Sequence, residues 1–259
     1  MTLKYVRDEE ERFDRMRELC RKVFAASYPT KEPLKALAGL FLARGFNAAE
    51  AAKTLLLAKY PLDATSVSRT IIEAAIECAY IFMDGDKAEA RATVFLEHLH
   101  YYELKLATAI TLLHGTTEGN PHLVTLQTNW DKVKGNYGRA SEWCRECPGL
   151  RNRAEAVQKD LDSRNPEAPK NYVHLYELGY FEGCTASHPG AMSLTDMVAA
   201  DGDSNLIAMG PEATIRWREL DLISMLLGVL VANAADPLGQ SGTSSAVDEI
   251  MLFGRNKDR

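Results

Sequence analysis

The segment DATSVSRTIIEAAIECAYIFM, Asp63–Met83, decides the fold. Placed on a helix at about 100° per residue, Ser66, Arg69, Glu73, Glu77 and Tyr80 fall within roughly 80° of one another. The apolar residues between Val67 and Phe82 cover about 220° of the same helix. A helix so widely apolar must lie mostly buried. Its polar stripe is then either a thin solvent-facing edge or a polar seam inside the protein, where an Arg and two Glu would need partners or a task.

Outward from this helix the periodicity stays helical, and no Val/Ile/Thr-rich run bounded by turn residues asks to be a strand. The fold class is all-α, a single multi-helix bundle. A charged helix is expected over 8–26. A second, over 32–44, is stopped by Gly45, and Asn47 caps a third over 48–59. After the striped helix and the turn Asp84-Gly85-Asp86, one long helix is expected over 87–114, then helical structure over 123–147. A charged, exposed helix over 151–161 follows, then another over 171–187. Residues 199–205 read as a Gly/Asp loop, and Pro211 opens the last long helix, which ends near Asp236-Pro237. This divides the chain into an N-terminal helix (1–30), a bundle core (31–237) and a partly disordered tail (238–259).

The 259 residues are 46% hydrophobic, ample for a core and unlike a disordered chain. A net charge of −6 repels a phosphate backbone, and no basic patch compensates, which argues against generic DNA binding. Five scattered cysteines do not form a disulfide framework and suit a reducing compartment. Lys4, Arg7 and the acidic run Asp8–Glu11 leave no apolar signal-peptide core, and the longest apolar run, 222–235, is too short to span a bilayer. The expected location is the cytoplasm, with no membrane partner.

Two clusters could carry chemistry. Arg69 and Glu73 stand one helical turn apart, the spacing of an ordinary surface ion pair worth about 0.3 kcal/mol. Tyr176, Tyr180, Cys184, Ser187 and His188 lie toward the end of a later helix. There Gly179 and Gly183 share a face with Tyr180 and permit close approach to another helix. Pro189 pushes His188 out of helical geometry, placed to reach a ligand or to cap the last carbonyls of its own helix.

The texts Ser68-Arg69-Thr70-Ile71-Ile72-Glu73-Ala74 and Tyr180-Phe181-Glu182-Gly183-Cys184-Thr185-Ala186-Ser187-His188-Pro189 resemble a bacterial, wholly helical domain family of unknown function. Its members carry an Arg-x-x-x-Glu step in a buried helix and a downstream Tyr, hydroxyl, His element. The likeness spans about Leu37 to Ser193. The family more often has Ser where this chain has Cys184, so Ser187 would supply the hydroxyl. The resemblance implies that Arg69, Glu73 and His188 converge as a catalytic or binding trio, with Tyr80, Tyr176, Tyr180, Cys184 and Ser187 supporting the pocket. It carries no established reaction.

A looser resemblance is to the higher eukaryote and prokaryote nucleotide-binding (HEPN) domains, many of them ribonucleases of toxin and anti-phage systems with an Arg, four to six residues, then a His. Arg91 and His98 fit that spacing and would bind a scissile phosphate and shuttle a proton. Ala92 departs from the family's polar residue after the Arg. His98 also shares a face with Phe95, Tyr102, Leu106 and Leu113, the pattern of a core histidine.

Other motifs are fragments. Glu97-x-x-His100 is half of a di-iron site with no second half. Cys144-x-x-Cys147 lacks a thioredoxin-like context, and zinc would need two more ligands. No cofactor-binding or metal-binding motif is present. Two readings remain for this sequence in a stress or phage-defence setting. One is a binding module for a small molecule or partner protein. The other is a metal-independent ribonuclease using His188 and Arg69, or Arg91 and His98. A homodimer is expected through the apolar face of 220–231, because it exceeds what a terminal helix needs.

Overall fold

A computed structural model describes residues 3–27, 30–113, 120–139, 142–166, 171–180, 183–184, 198–201, 204–207 and 217–253. It is an all-α bundle with one short antiparallel hairpin. The helices are α1 (Leu3–Ser27), α2 (Pro33–Leu57), α3 (Pro61–Phe82), α4 (Gly85–Glu97), α5 (Leu99–Leu113), α6 (Pro121–Val133), α7 (Leu150–Arg164), α8 (Asn171–His174), α9 (Trp217–Ala235) and α10 (Thr243–Leu252). A π-helical turn, Leu175–Tyr180, continues α8, and strands β1 (Val198–Asp201) and β2 (Ser204–Ile207) pair antiparallel.

The core is a helical stack in which α9 packs on α1, α2, α3 and α10. On α3, Ile71, Ile72, Ile76, Cys78 and Ile81 are at most 1% exposed, as its wide apolar arc requires. On α9, Leu220, Ile223, Leu226, Leu227, Leu230 and Val231 are equally enclosed. This corrects the expected dimer surface. The apolar excess of 220–231 is the signature of a helix walled in on several sides by its own chain, so that face is not available to a second copy.

Several boundaries differ from expectation for local reasons. Gly45 does not stop a helix; α2 runs through it for 25 residues. A Cβ at Gly45 would lie 2.1 Å from Leu230 Cδ2, so glycine here lets α9 settle against α2. The long helix expected over 87–114 breaks at His98 into α4 and α5. The helical stretch expected over 123–147 ends at Val133, followed only by the 3₁₀ turn Lys134–Asn136. The expected Gly/Asp loop over 199–205 falls instead largely within β1 and β2, which pair antiparallel with Val198 opposite Ile207 and Asp201 opposite Ser204.

Of the expected tail over 238–259, the structure describes residues up to Phe253. There α10 packs on α9 and α1, with Val247 in the core. Arg12, 3% exposed on α1, donates to Asp221 (3.0 Å), Glu9 (3.2 Å) and the Phe253 carbonyl (2.8 Å), tying the first and last described helices to α9. Among the described residues, no helix is long and apolar enough to cross a membrane.

Candidate functional site

The polar stripe of α3 becomes a seam at its centre and an edge at its start. Glu77 is the most enclosed charge of the stripe, its side chain 13% exposed. Its Oε1 accepts from Arg153 at 2.8 Å and its Oε2 from Trp143 Nε1 at 3.2 Å. The Arg153 side chain is 6% exposed and also donates to the Cys147 carbonyl, and its guanidinium lies over the Trp143 ring at 5.2 Å. Glu142 stands 3.8 Å from Arg153 and accepts the Gly149 backbone N–H at 2.8 Å. Burial pushes the Glu77 carboxyl above the usual range, although Arg153 and the Trp143 N–H both pull it down. The ion pair is therefore incompletely compensated for the water it has lost.

Arg153 was not legible as a partner, because α7 reads as charged and exposed. In fact Arg153, Ala154, Val157 and Gln158 are buried on one face of α7 against α3. The signal was present in the three- and four-residue spacing of Ala154, Val157 and Leu161, which marks the buried face beside Arg153.

Arg69 and Glu73 form the shallower part of the stripe. Their side chains are 30% and 37% exposed at an N···O distance of 3.2 Å, so the pair contributes about what an exposed helical pair does, roughly 0.3–0.5 kcal/mol. Arg69 also reaches the later segment, donating to Cys184 Sγ at 3.5 Å and lying 5.4 Å from the centre of the Tyr180 ring. Tyr180 stacks on Tyr176, with centroids 5.1 Å apart. Burial, then the Cys184 thiol, push the Tyr180 phenol up to about 12, so it is a neutral hydrogen-bonding group at ordinary pH.

The glycines in this segment act as their spacing suggests. A Cβ on Gly179 would come within 2.5 Å of Ile72 Cδ1, and one on Gly183 within 2.8 Å of Arg69 Cβ and 3.2 Å of the Thr65 carbonyl. Neither the Arg69 Cβ nor the Thr65 carbonyl is the free end of a flexible chain, so only glycine lets this segment lie on α3. The structure thus joins Arg69, Glu73, Tyr176, Tyr180 and Cys184 in one neighbourhood. His188 and Ser187, the other members of the expected cluster, lie outside the described residues.

Tyr80 closes the far end of the stripe and belongs to the framework. Its hydroxyl meets Cys144 Sγ at 3.3 Å, and Cys144 Sγ accepts the Cys147 N–H at 3.2 Å. Burial raises the Cys147 thiol, and all five cysteines are free. Arg91 donates to the Tyr80 carbonyl at 2.9 Å and stacks over the Tyr80 ring at 4.6 Å.

The rival pair Arg91/His98 is thereby separated in role. Arg91 locks α4 to the end of α3, whereas His98 is 4% exposed among Tyr101, Tyr102, Trp130 and Tyr137. Only His98 of the two lines the principal cavity. Among the described residues, no group of three or more His, Cys, Asp or Glu is placed to hold a metal ion.

That cavity has a volume of about 710 Å³ and opens between α2, α3, the α4–α5 junction and the 142–150 segment. Phe41, Phe95 and Trp143 form its apolar wall, with Phe95 edge-on to Trp143 at 5.1 Å. Glu73, Glu77, Glu142, Arg44 and Arg153 supply its charges, and Tyr180 reaches it from the π-helical turn. Its mouth is ringed by Leu40, Leu96, Leu99 and Tyr102, each between 42% and 58% exposed.

Residues 35–205, well over half of the chain, match the model of a family of unknown function, DUF5677. The chain belongs to this family. The matched span contains the α2, α3, α4–α5 and 142–150 walls of the cavity, and leaves α1, α9 and α10 outside it. The looser likeness to HEPN domains finds no support among the matches. No curated protein and no solved structure matches the chain.

Proposed function

We propose that this protein is a binding module for a small amphipathic molecule with an aromatic or apolar body and an acidic head. The observation that carries the reading is the cavity itself. Its volume, about 710 Å³, falls within the roughly 300–1,000 Å³ of small-molecule sites, and its wall combines Phe41, Phe95 and Trp143 with a few polar groups.

Charge accounting supports an acidic head. Each lining carboxylate is engaged with a cation of the same chain: Glu73 with Arg69, and Glu77 and Glu142 with Arg153. Arg44, by contrast, has no ion-pair partner among the described residues. A guanidinium at the edge of an apolar pocket suits a carboxylate, sulfonate or phosphate, which it binds through paired, charge-assisted hydrogen bonds.

The Arg91/His98 form of the ribonuclease alternative has no comparable support, and its His188/Arg69 form turns on a histidine outside the described residues. Arg91 is committed to Tyr80, and His98 is enclosed by aromatic rings, so the two do not face one phosphate.

Anilinonaphthalene sulfonate combines an aromatic body with a sulfonate head and is the first probe. The folded protein should bind it saturably, one molecule per chain, with enhanced emission. Arg44→Ala should weaken binding about tenfold, the loss of one charge-assisted interaction, with an unchanged melting temperature. Unsaturable binding, or equal affinity in Arg44→Ala, would remove this reading.

A further inference from the structure

One helix of the bundle has the wrong surface for its position. α5 carries an apolar sequence, LHYYELKLATAITLL, yet none of its residues is buried. Its inner face, Tyr101 and Leu104 with Thr108 and Thr111, is half-covered where it packs on α6. The opposite face carries Leu99 (55% exposed), Tyr102 (52%), Leu106 (63%), Ile110 (48%) and Leu113 (86%). At about 100° per residue these five lie within roughly 80° of one another, a continuous apolar stripe directed away from the chain's own core.

The stripe is also symmetric. Counted from Leu106, its members stand at −7, −4, 0, +4 and +7. A two-fold axis at Leu106 between antiparallel copies sets Leu99 against Leu113, Tyr102 against Ile110, and Leu106 against itself. That is the self-complementarity an isologous interface requires, and the three- and four-residue steps are those of helices packed at a shallow angle. The flanking charges fit the same axis. Glu103 falls opposite Ala109 and Lys105 opposite Ala107, so no like charges meet and small side chains leave room for the long ones.

We infer that α5 pairs antiparallel with α5 of a second copy about a two-fold axis at Leu106, so that the Ile110–Leu113 end of each copy roofs the binding cavity of the other. The second part rests on the proposed binding function, because Leu99 and Tyr102 belong both to the stripe and to the cavity mouth. A single helix face is smaller than the roughly 800 Å² per partner that a stable dimer buries. The patch continues from Leu99 onto Leu96 (42% exposed) and Leu40 (58%) at that mouth, where the second copy's helix end arrives. The dimer thus supplies the wall that one chain leaves open.

The test begins with the mass of the full chain in solution. At tens of micromolar, light scattering should give twice the 28.7 kDa of the monomer. Leu106→Glu sets two carboxylates against each other across the axis and should raise the dissociation constant at least tenfold, leaving the helical circular dichroism of the folded chain unchanged while the melting temperature loses only its dependence on protein concentration. Register is read from L99E and L113K: each alone should weaken the dimer, and the two together should restore it, because position 99 of one copy meets position 113 of the other. Anilinonaphthalene sulfonate should bind the L106E monomer several-fold more weakly than the dimer. A monomeric wild type, a dimer indifferent to L106E, or a double variant no better than its singles would overturn the inference. Recruitment of the monomer to phosphatidylcholine/phosphatidylserine vesicles through Leu106 would overturn it in favour of a lipid surface. Dye binding by a monomer would leave the pocket reading intact, and a dimer that binds no dye would remove only the pocket reading.

Discussion

Arg153→Ala should destabilise the protein by about 3–5 kcal/mol, the penalty for leaving a buried carboxylate without its cation. Glu77 loses the 2.8 Å bond that offsets its burial, the Cys147 carbonyl loses a donor, and Trp143 loses the guanidinium over its ring. The loss should depend on pH. Glu77 already has a raised pKa in the fold, and removing Arg153 takes away an interaction that lowers it. A carboxyl whose folded pKa exceeds its unfolded value costs stability above the folded pKa and nothing below the unfolded one. The deficit should therefore be largest at neutral and higher pH and shrink as pH falls through the raised pKa of Glu77. Urea unfolding of wild type and variant across that range measures it. Glu77→Leu combined with Arg153→Met should recover most of the loss, since an apolar pair of similar volume carries no desolvation penalty. A loss below about 1 kcal/mol at neutral pH would mean that water reaches the pair.

Leu227→Ala should cost about 2.7–5 kcal/mol, the range for deleting an enclosed leucine whose surroundings cannot collapse. Leu227 is 0% exposed on α9, and four other helices surround that element. Met225, on the same helix but 37% exposed, is the internal control, and Met225→Ala should change stability by less than about 1 kcal/mol. Chemical denaturation separates the two. Comparable small losses at both positions would mean that α9 lies at the surface.

The contrast between these two residues shows how much of the fold was readable from sequence. The all-α class followed from helical periodicity along the chain and the deep burial of α3 from the width of its apolar arc, and the resemblance to an uncharacterised helical family rested on short motifs that fall inside the matched span. The role of α9 was not readable. A long apolar face states that something must cover it, and only the tertiary arrangement says whether the cover is the same chain or another. The opposite error occurred at α5, whose Tyr102, Leu106 and Leu113 read as a core face shared with His98 because α4 and α5 were taken as one long helix, whereas all three are exposed. The break falls at His98, which sits against Trp130 and Tyr137 more than thirty residues later in the chain.

The candidate site was legible by halves. Local spacing brought out Arg69, Glu73, Tyr180 and the two glycines, because each belongs to a repeating helical face. Glu77 stood in the same stripe, but its partner Arg153 is 76 residues away and Trp143 is 66, and no periodicity within one helix encodes such a pairing. Arg44 was equally hidden, since its interest lies in an absent partner among the described residues.

The position of α9 in the chain has a consequence for synthesis. α2 and α3 leave the ribosome complete, but the helix that covers them is translated about 150 residues later, a delay on the order of ten seconds or more at ordinary elongation rates. Until then, the sides of α2 and α3 that will meet α9 are open to water, and Arg12 lacks Asp221 and the Phe253 carbonyl. The bundle therefore closes only once α9 and α10 have been translated, and until then the chain exposes apolar helix faces that a chaperone would shield. Nascent chains arrested before Trp217 should be digested by a protease that spares chains extended far enough for Phe253 to clear the exit tunnel.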